Sequence, residues 1–271
     1  MKIYIKAAIM DISDEPFEVI MEMASDPSGS PEVMEQIFQY VCNLLSDDSI
    51  PWRFSNARDL LNALAKNPNT PSEILESIVK TNFPQIPKSE MELILCGIAS
   101  NLNTPIDILA ELANSNNKFI RSHIAENPNT PISILQKLAN DDSEDVRVGV
   151  LWSKHLTPEL AMQFIDDPSS DIREELASIE DNRLSVETIH KILESLYDDP
   201  IRSVRSFVAS NSKCPAEILH KLASDNHYSV RLYVAYNKNT ADDDLISLSA
   251  DSNSAVVKHA KMQLQERGIM K

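Results

Sequence analysis

Six histidines (His123, His155, His190, His220, His227, His259) and three cysteines (Cys42, Cys96, Cys214) are the side chains best suited to metal ligation or nucleophilic attack. Their spacing supports neither chemistry. No HExxH segment occurs, and no two histidines stand at the helical spacing that brings two imidazoles to one metal ion. The cysteines form no close pair and are odd in number, which argues against a disulfide framework and against a thiolate metal site. Carboxylates gather in "DDSED" (Asp141–Asp145) and "ADDD" (Ala241–Asp244). These runs lack the alternating oxygens and the glycine of a calcium loop, and they read as helix-start caps or solvated surface. With only 4 glycines, no nucleophile elbow or glycine-rich phosphate loop is built. The expectation is a non-enzymatic protein with no catalytic residue, metal or cofactor.

What does recur at fixed spacing is arginine. Arg121, Arg147, Arg173, Arg205 and Arg231 each follow a branched apolar residue, and an Asp or Ser lies upstream of each at one constant distance. This series reads as a ladder of charge-assisted hydrogen bonds between adjacent units rather than as a ligand site.

The arginines belong to a longer sentence. "IAENPNTPISILQKLANDDSEDVR" (124–147) returns as "VASNSKCPAEILHKLASDNHYSVR" (208–231), and its short core A-x-N-x-x-T-P sets a register along nearly the whole chain. The anchors are Ala24, Ala65, Ala99, Ala125, Leu151, Ala177, Ala209 and Ala235, at intervals of 41, 34, 26, 26, 26, 32 and 26 residues. The unit is therefore 26 residues. Longer intervals hold insertions, placed at "DDSIPWRFSNARD", "TNFPQIPKSEME" and around "LYDDPIRSVR"; Ala24 is the weakest match.

Each part of the unit has a physical task. Thr-Pro starts a helix: Thr70, Thr104, Thr130 and Thr157 are expected to cap its free amides, with the following proline in the first helical position. Apolar residues at helical spacing follow, such as Ile134, Leu135, Leu138 and Ala139. That helix ends near an Asp (Asp141, Asp167, Asp199, Asp225, Asp251). The Val-Arg segment after it spans only about seven residues in the repeat pattern, which suggests a short α-helix or a 3-10 turn. Asn67, Asn101, Asn127, Asn211 and Asn237 then close the inter-helix turn. One pair of segments cannot bury its apolar face alone, but a stack can.

"VRxxVAxNxNTPxxILxxLAxD" resembles the leucine-rich repeat variant family and, more broadly, HEAT-type helical repeats, over roughly residues 65–260. The resemblance implies an all-α, right-handed superhelical solenoid of two-helix repeats. Two departures stand out. The unit is nearer 26 than 24 residues, which leans toward a fuller second helix, and there is no cysteine cluster of the kind tied to an iron–sulfur module in one branch of the family. Residues 1–60 are expected to form an N-terminal helical cap with one degenerate repeat, and residues 61–271 the solenoid. The insertions near 47–59 and 81–92 are expected to be extra capping helices.

Composition agrees with helices. Glycines are few, 42% of residues are hydrophobic, and most of the 15 prolines fall between helical stretches. The formal charge is −16, carried mainly by residues 1–60 and 121–180 at −7 each, while 181–271 are balanced. No cluster of Lys and Arg offers the counterion replacement that nucleic acid requires. "MKIYIKAAIMDISDEPFE" reaches acid too early for a secretory signal, and no apolar run has membrane-spanning length. The expected compartment is the cytoplasm.

Function is read from positions the repeat leaves free. Trp152, Phe207, Tyr233, Tyr236 and His123 occupy variable positions of the Val-Arg segment, which in solenoids commonly lines the concave surface. They read either as anchors for a protein or peptide, the acidic middle favouring a basic partner, or as fillers of wide gaps between units. Two alternatives come from other classes. One is a HEAT-like DNA glycosylase, in which the arginines would face outward; the other is a lyase or chaperone that handles a cofactor.

Overall fold

The computed structural model describes residues 12–46 and 52–270. The reading of the N-terminal apolar run (1–11) and part of the first insertion (47–51) lie outside the described residues. After a 3-10 turn at Ile12–Asp14, the described residues hold 17 α-helices, which within each of two compact units alternate between two rows. One row holds α2 (Pro31–Leu45), α4 (Ser72–Lys80), α6 (Ile106–Leu112), α8 (Ile132–Leu138), α10 (Pro158–Met162), α12 (Val186–Leu196), α14 (Ala216–Leu222) and α16 (Asp242–Leu248). The other holds α1 (Phe17–Ser25), α3 (Trp52–Lys66), α5 (Lys88–Ser100), α7 (Lys118–Glu126), α9 (Glu144–Trp152), α11 (Ser170–Ser178), α13 (Arg202–Ser210), α15 (Tyr228–Tyr236) and α17 (Ser254–Glu266).

The contacts divide the chain into two units, one ending at Ser153 and the other beginning at Lys154. In the first, α1, α3, α5, α7 and α9 stack each on the next; in the second, α11, α13, α15 and α17 do the same. Even-numbered helices touch their odd neighbours and have sparse contact with one another. The odd row is therefore the crowded inner side of each unit. This is an all-α helical-repeat protein.

The odd helices bury an aliphatic pair one turn apart plus the anchor residue: Ile120, Ile124 and Ala125 in α7, and Val230, Val234 and Ala235 in α15. The even helices bury Ile-Leu and a second Leu, as with Ile134, Leu135 and Leu138. Of the two forms expected for the Val-Arg segment, the short α-helix is found, 9 residues long in α7, α9, α11, α13 and α15, while the helices after Thr-Pro vary from 5 residues in α10 to 9 in α4. The second segment starts earlier than the repeat pattern implied, directly after its cap at Asn117 or Ser169, whose side chain accepts from a backbone N–H two residues on.

The threonines also act differently from expectation. Prolines 71, 105 and 131 are themselves the N-caps. Thr70, Thr104, Thr130 and Thr240 Oγ1 instead donate at 2.6 Å to the carbonyls of Leu64, Ile98, Ile124 and Val234, in the last turn of the preceding helix. Those carbonyls have lost the N–H four residues on, and the hydroxyl adds a second donor to the asparagine N–H that each accepts from three residues on. Only Thr157 caps forward, to Leu160 N, with Pro158 in the first turn.

Insertions sit where the stack tolerates them. Residues 81–87 form a connection that buries Phe83 and Ile86 rather than an extra helix, and they lead into a 13-residue α5. The extra residues expected around "LYDDPIRSVR" lie upstream, in the turn before Leu184 and in an α12 lengthened to 11 residues. Asp199 and Arg205 then fall back into the regular pattern.

The seam between units is polar. Asn127 Nδ2 donates to Ala99 O at 2.7 Å and Asn101 O at 3.0 Å, while its Oδ1 accepts from Asn129 N. Asn101, Asn211 and Asn237 repeat this on the turn before each, and Asn67 does so on Ala24 and Asp26. The weak match at Ala24 is thus in register. In α17 the helix runs on through this position. Gln263 Nε2 reaches Ala235 O and Asn237 O, Arg267 takes Thr240 O and Lys238 O, and Gln263 O is held by Arg267 N.

Two consequences are measurable. Asn237→Ala takes the side-chain donor from the buried Ala209 carbonyl and leaves Asn211 O with the Cys214 N–H alone, and is expected to cost about 1–3 kcal/mol in urea unfolding. At Gly149 a Cβ would stand 2.9 Å from Ala125 Cβ and 3.3 Å from Ser122 O. Gly149→Ala is therefore expected to lower stability by about 1–3 kcal/mol, although alanine is the better helix former by about 1 kcal/mol. A raised melting temperature would contradict this close approach of α7 and α9.

Candidate binding face

The repeat position two before the anchor changes its occupant along the chain. In the first unit it holds Glu22, Ala63, Gly97, His123 and Gly149; in the second it holds Glu175, Phe207 and Tyr233. Glycine is used where neighbouring helices approach closest, since a Cβ at Gly97 would also crowd Ala65 and Lys66. On α13 and α15 of the second unit the same position carries an aromatic ring.

Those rings are not core. Phe207 is 39% exposed, Tyr233 42%, Tyr236 50% and Trp152 63%, so the gap-filling reading does not describe them. The structure brings Phe207 and Tyr233 into one groove of about 310 Å³ on α13 and α15, together with Arg202, His227 and Tyr228. Hydroxyls of Ser203, Ser206, Ser210 and Ser229 complete the wall. Tyr228, exposed and stacked on His227, was missed in the sequence because it opens α15 and lies outside the free positions counted there. Tyr236 lies further along α15, with its hydroxyl 2.7 Å from His259 Nε2 on α17.

Trp152 and His123 belong to the first unit. His123, half-buried, lines a second groove of about 630 Å³ over α3, α5 and α7, with Arg58, Asn62, Leu93 and Gly97. Arg58 there is tied to Asp59 and Glu90, and Asn62 Oδ1 is buried without a hydrogen-bond partner. Trp152 closes α9.

The arginines form the other polar seam. Arg121 grips Asp141 with Nε and Nη2 at 2.6 and 2.7 Å and sends Nη1 back to Ser115 O. Arg173, Arg205 and Arg231 hold Asp199, Asp225 and Asp251 in the same two-pronged way, and their Nη1 atoms bond Asp167 O, Asp199 O and Asp225 O. Arg147 makes the matching carbonyl bond to Asp141 O. Arg121, Arg173, Arg205 and Arg231 thus each lock their own loop and the next repeat's loop at once. Arg121, Arg173, Arg205 and Arg231 are therefore engaged inward, not presented to a phosphate backbone as a DNA glycosylase would need.

Burial raises the Cys214 thiol to about 12, and pushes Cys42 and Cys96 upward as well, which leaves them poor nucleophiles at neutral pH. Among the described residues no group of three or more His, Cys, Asp and Glu converges as a metal site would, and no helix is long and apolar enough to cross a membrane.

No family model matches the chain, and no curated protein matches it. Solved helical-repeat structures do. An engineered protein is 16% identical over 97% of this chain and 87% of its own, with a TM-score of 0.35. A designed armadillo repeat protein in complex with the peptide (KR)4 is 14% identical over 93% and 99%, with a TM-score of 0.25. Computationally designed armadillo repeat proteins for modular peptide recognition give 14% over 94% and 95%, at 0.23. At these scores the likeness assigns no residue here a role, and the fold rests on this chain's own packing.

The ladder makes stability depend on acid. The bonds from Arg231 hold Asp251 below the ordinary carboxylate range; at Asp225 burial pushes upward, but the bonds from Arg205 and His227 N outweigh it. A carboxylate with a depressed folded pKa contributes stability that is full above its unfolded value near 4 and is lost as pH falls through the lower folded value. Arg231→Met strands a carboxylate in the seam and is expected to cost about 3 kcal/mol at pH 7. Arg231→Met/Asp251→Asn should recover part of that loss and flatten the acid limb of a pH–stability curve. An unchanged acid limb would remove the ladder from the account.

Proposed function

We propose that this protein is a non-enzymatic scaffold whose odd-helix face binds a protein or peptide, and that its repeat belongs with the leucine-rich repeat variant type. One observation carries the reading: Phe207, Tyr228 and Tyr233 share one groove while exposed, on helices whose core is already filled by Val204, Val208, Val230 and Val234. Aromatic side chains that a fold does not need for its own packing are costly to leave in water and are effective anchors for a partner. The odd row is rigidly held by two polar seams, so such a face is organised before a partner arrives and little ordering cost falls on binding. In this reading the protein performs no chemistry of its own.

The test compares wild type with Phe207→Ala/Tyr233→Ala/Tyr236→Ala as bait in an affinity capture from native extract, with Trp152→Ala as a separate arm. Truncation of exposed rings is expected to leave the melting temperature nearly unchanged. Partners held by wild type should be lost from the triple variant. Identical capture profiles from two equally folded baits would refute the proposed face.

A further inference from the structure

We infer that the α13–α15–α17 face takes a peptide segment bearing carboxylate side chains, the opposite sign to the basic partner suggested by the acidic middle of the sequence. The inference rests on reading this face as a peptide-binding surface. Its charge differs sharply from that of the preceding odd helices. The helix α9 carries Glu144 and Asp145, and α11 carries Asp171, Glu174 and Glu175. By contrast α13 (RSVRSFVAS) and α15 (YSVRLYVAY) contain no Asp or Glu, and α17 has only Glu266, its last residue.

Two carboxylates at the edge of this face are already engaged. Asp225 and Asp251 each accept two bonds from Arg205 and Arg231. Arg202 is different. It opens α13, is exposed, and donates Nη1 to His227 Nε2 at 2.6 Å, but among the described residues it meets no carboxylate. Arg58, Arg183 and Arg267, also at the surface, each do. Arg202 thus keeps its charge and most of its five N–H donors for a ligand. It stands in the groove with Phe207, Tyr228 and Tyr233, beside serine hydroxyls that can donate to a carboxylate. The exposed Lys258 of α17 extends the positive character beyond the Tyr236–His259 pair.

Cation and rings in one groove ask for a carboxylate close to an apolar or aromatic side chain. A groove of about 310 Å³ lies at the small end of ligand pockets and accepts one or two side chains of an extended segment. The chain's charge of −16 does not forbid this, because at physiological salt charges more than about 8 Å away are largely screened. Single-stranded nucleic acid would also value the rings. It needs a row of cations along its phosphates, however, and the groove itself holds Arg202, with Lys258 and Lys261 set apart on α17.

The experiment is selection from a random peptide library displayed on phage against the full chain, its Arg202→Ala form and its Phe207→Ala/Tyr233→Ala form, with oligo(dT) binding measured alongside. Wild type is expected to enrich sequences that place Asp or Glu beside an apolar residue. Arg202→Ala should weaken the selected peptides about three- to ten-fold and erase the acid bias. Enriched peptides with no acid bias that still depend on Phe207 and Tyr233 would overturn the charge assignment and leave the peptide-binding face standing. No enrichment over the aromatic variant would overturn both. Binding of oligo(dT) that Arg202→Ala abolishes would overturn the inference in favour of single-stranded nucleic acid.

Discussion

At five of its turns, those of Asn67, Asn101, Asn127, Asn211 and Asn237, the stack depends on one amide. Where an odd helix ends and the chain turns into the next even helix, the backbone leaves carbonyls pointing into a seam that the following unit buries. A buried carbonyl without a donor is expensive. The asparagine side chain of that following unit spans the seam, donating to two carbonyls and accepting an N–H of its own turn with its oxygen. The apolar stripes hold adjacent units together without direction; this amide says at which height they stop sliding.

That division of labour explains how the stack absorbs uneven unit lengths. The Asn-to-carbonyl bond is made across 26 residues between Asn127 and Asn101, across 34 between Asn101 and Asn67, and across 32 between Asn211 and Ile179. The additional residues go into turns, into α4 and α12, and onto the N-terminal end of α5, and leave the asparagine turns at the C-terminal ends of odd helices unchanged. The odd row keeps its register, and with it the face that carries the exposed rings.

The alternation of two helices, the unit length and the buried residues were legible because each rests on apolar spacing within a short window. The arginine ladder was legible too, since an Asp at constant distance is visible in the text. The direction of each grip was not: Arg205 uses its own unit's Asp only through a backbone carbonyl and takes the carboxylate of the next. The asparagine's second task was hidden for a related reason, because its partners are carbonyls of residues as different as Ala99, Asp26 and Ile179 and leave no mark in the sequence. Thr130 was misassigned because a Thr-Pro pair suits two hydrogen-bonding arrangements, and the choice depends on carbonyls freed one helix earlier. Tyr228 was overlooked because its ring joins the groove only through the neighbouring helix.

The continuous helix α17 has a consequence for assembly. A stack of like units resembles a linear polymer, and any exposed end that offers the next turn's carbonyls is a growing tip. At α17 no such turn exists: Gln263 copies the donor half of the asparagine's role, while its own carbonyl is spent inside the helix on Arg267 N. A second molecule approaching that surface finds apolar side chains but no acceptor pair to set its height. A unit laid on α17 would take its register at this position from side-chain packing alone, since the hydrogen bonds that elsewhere fix the height are here used up within the helix.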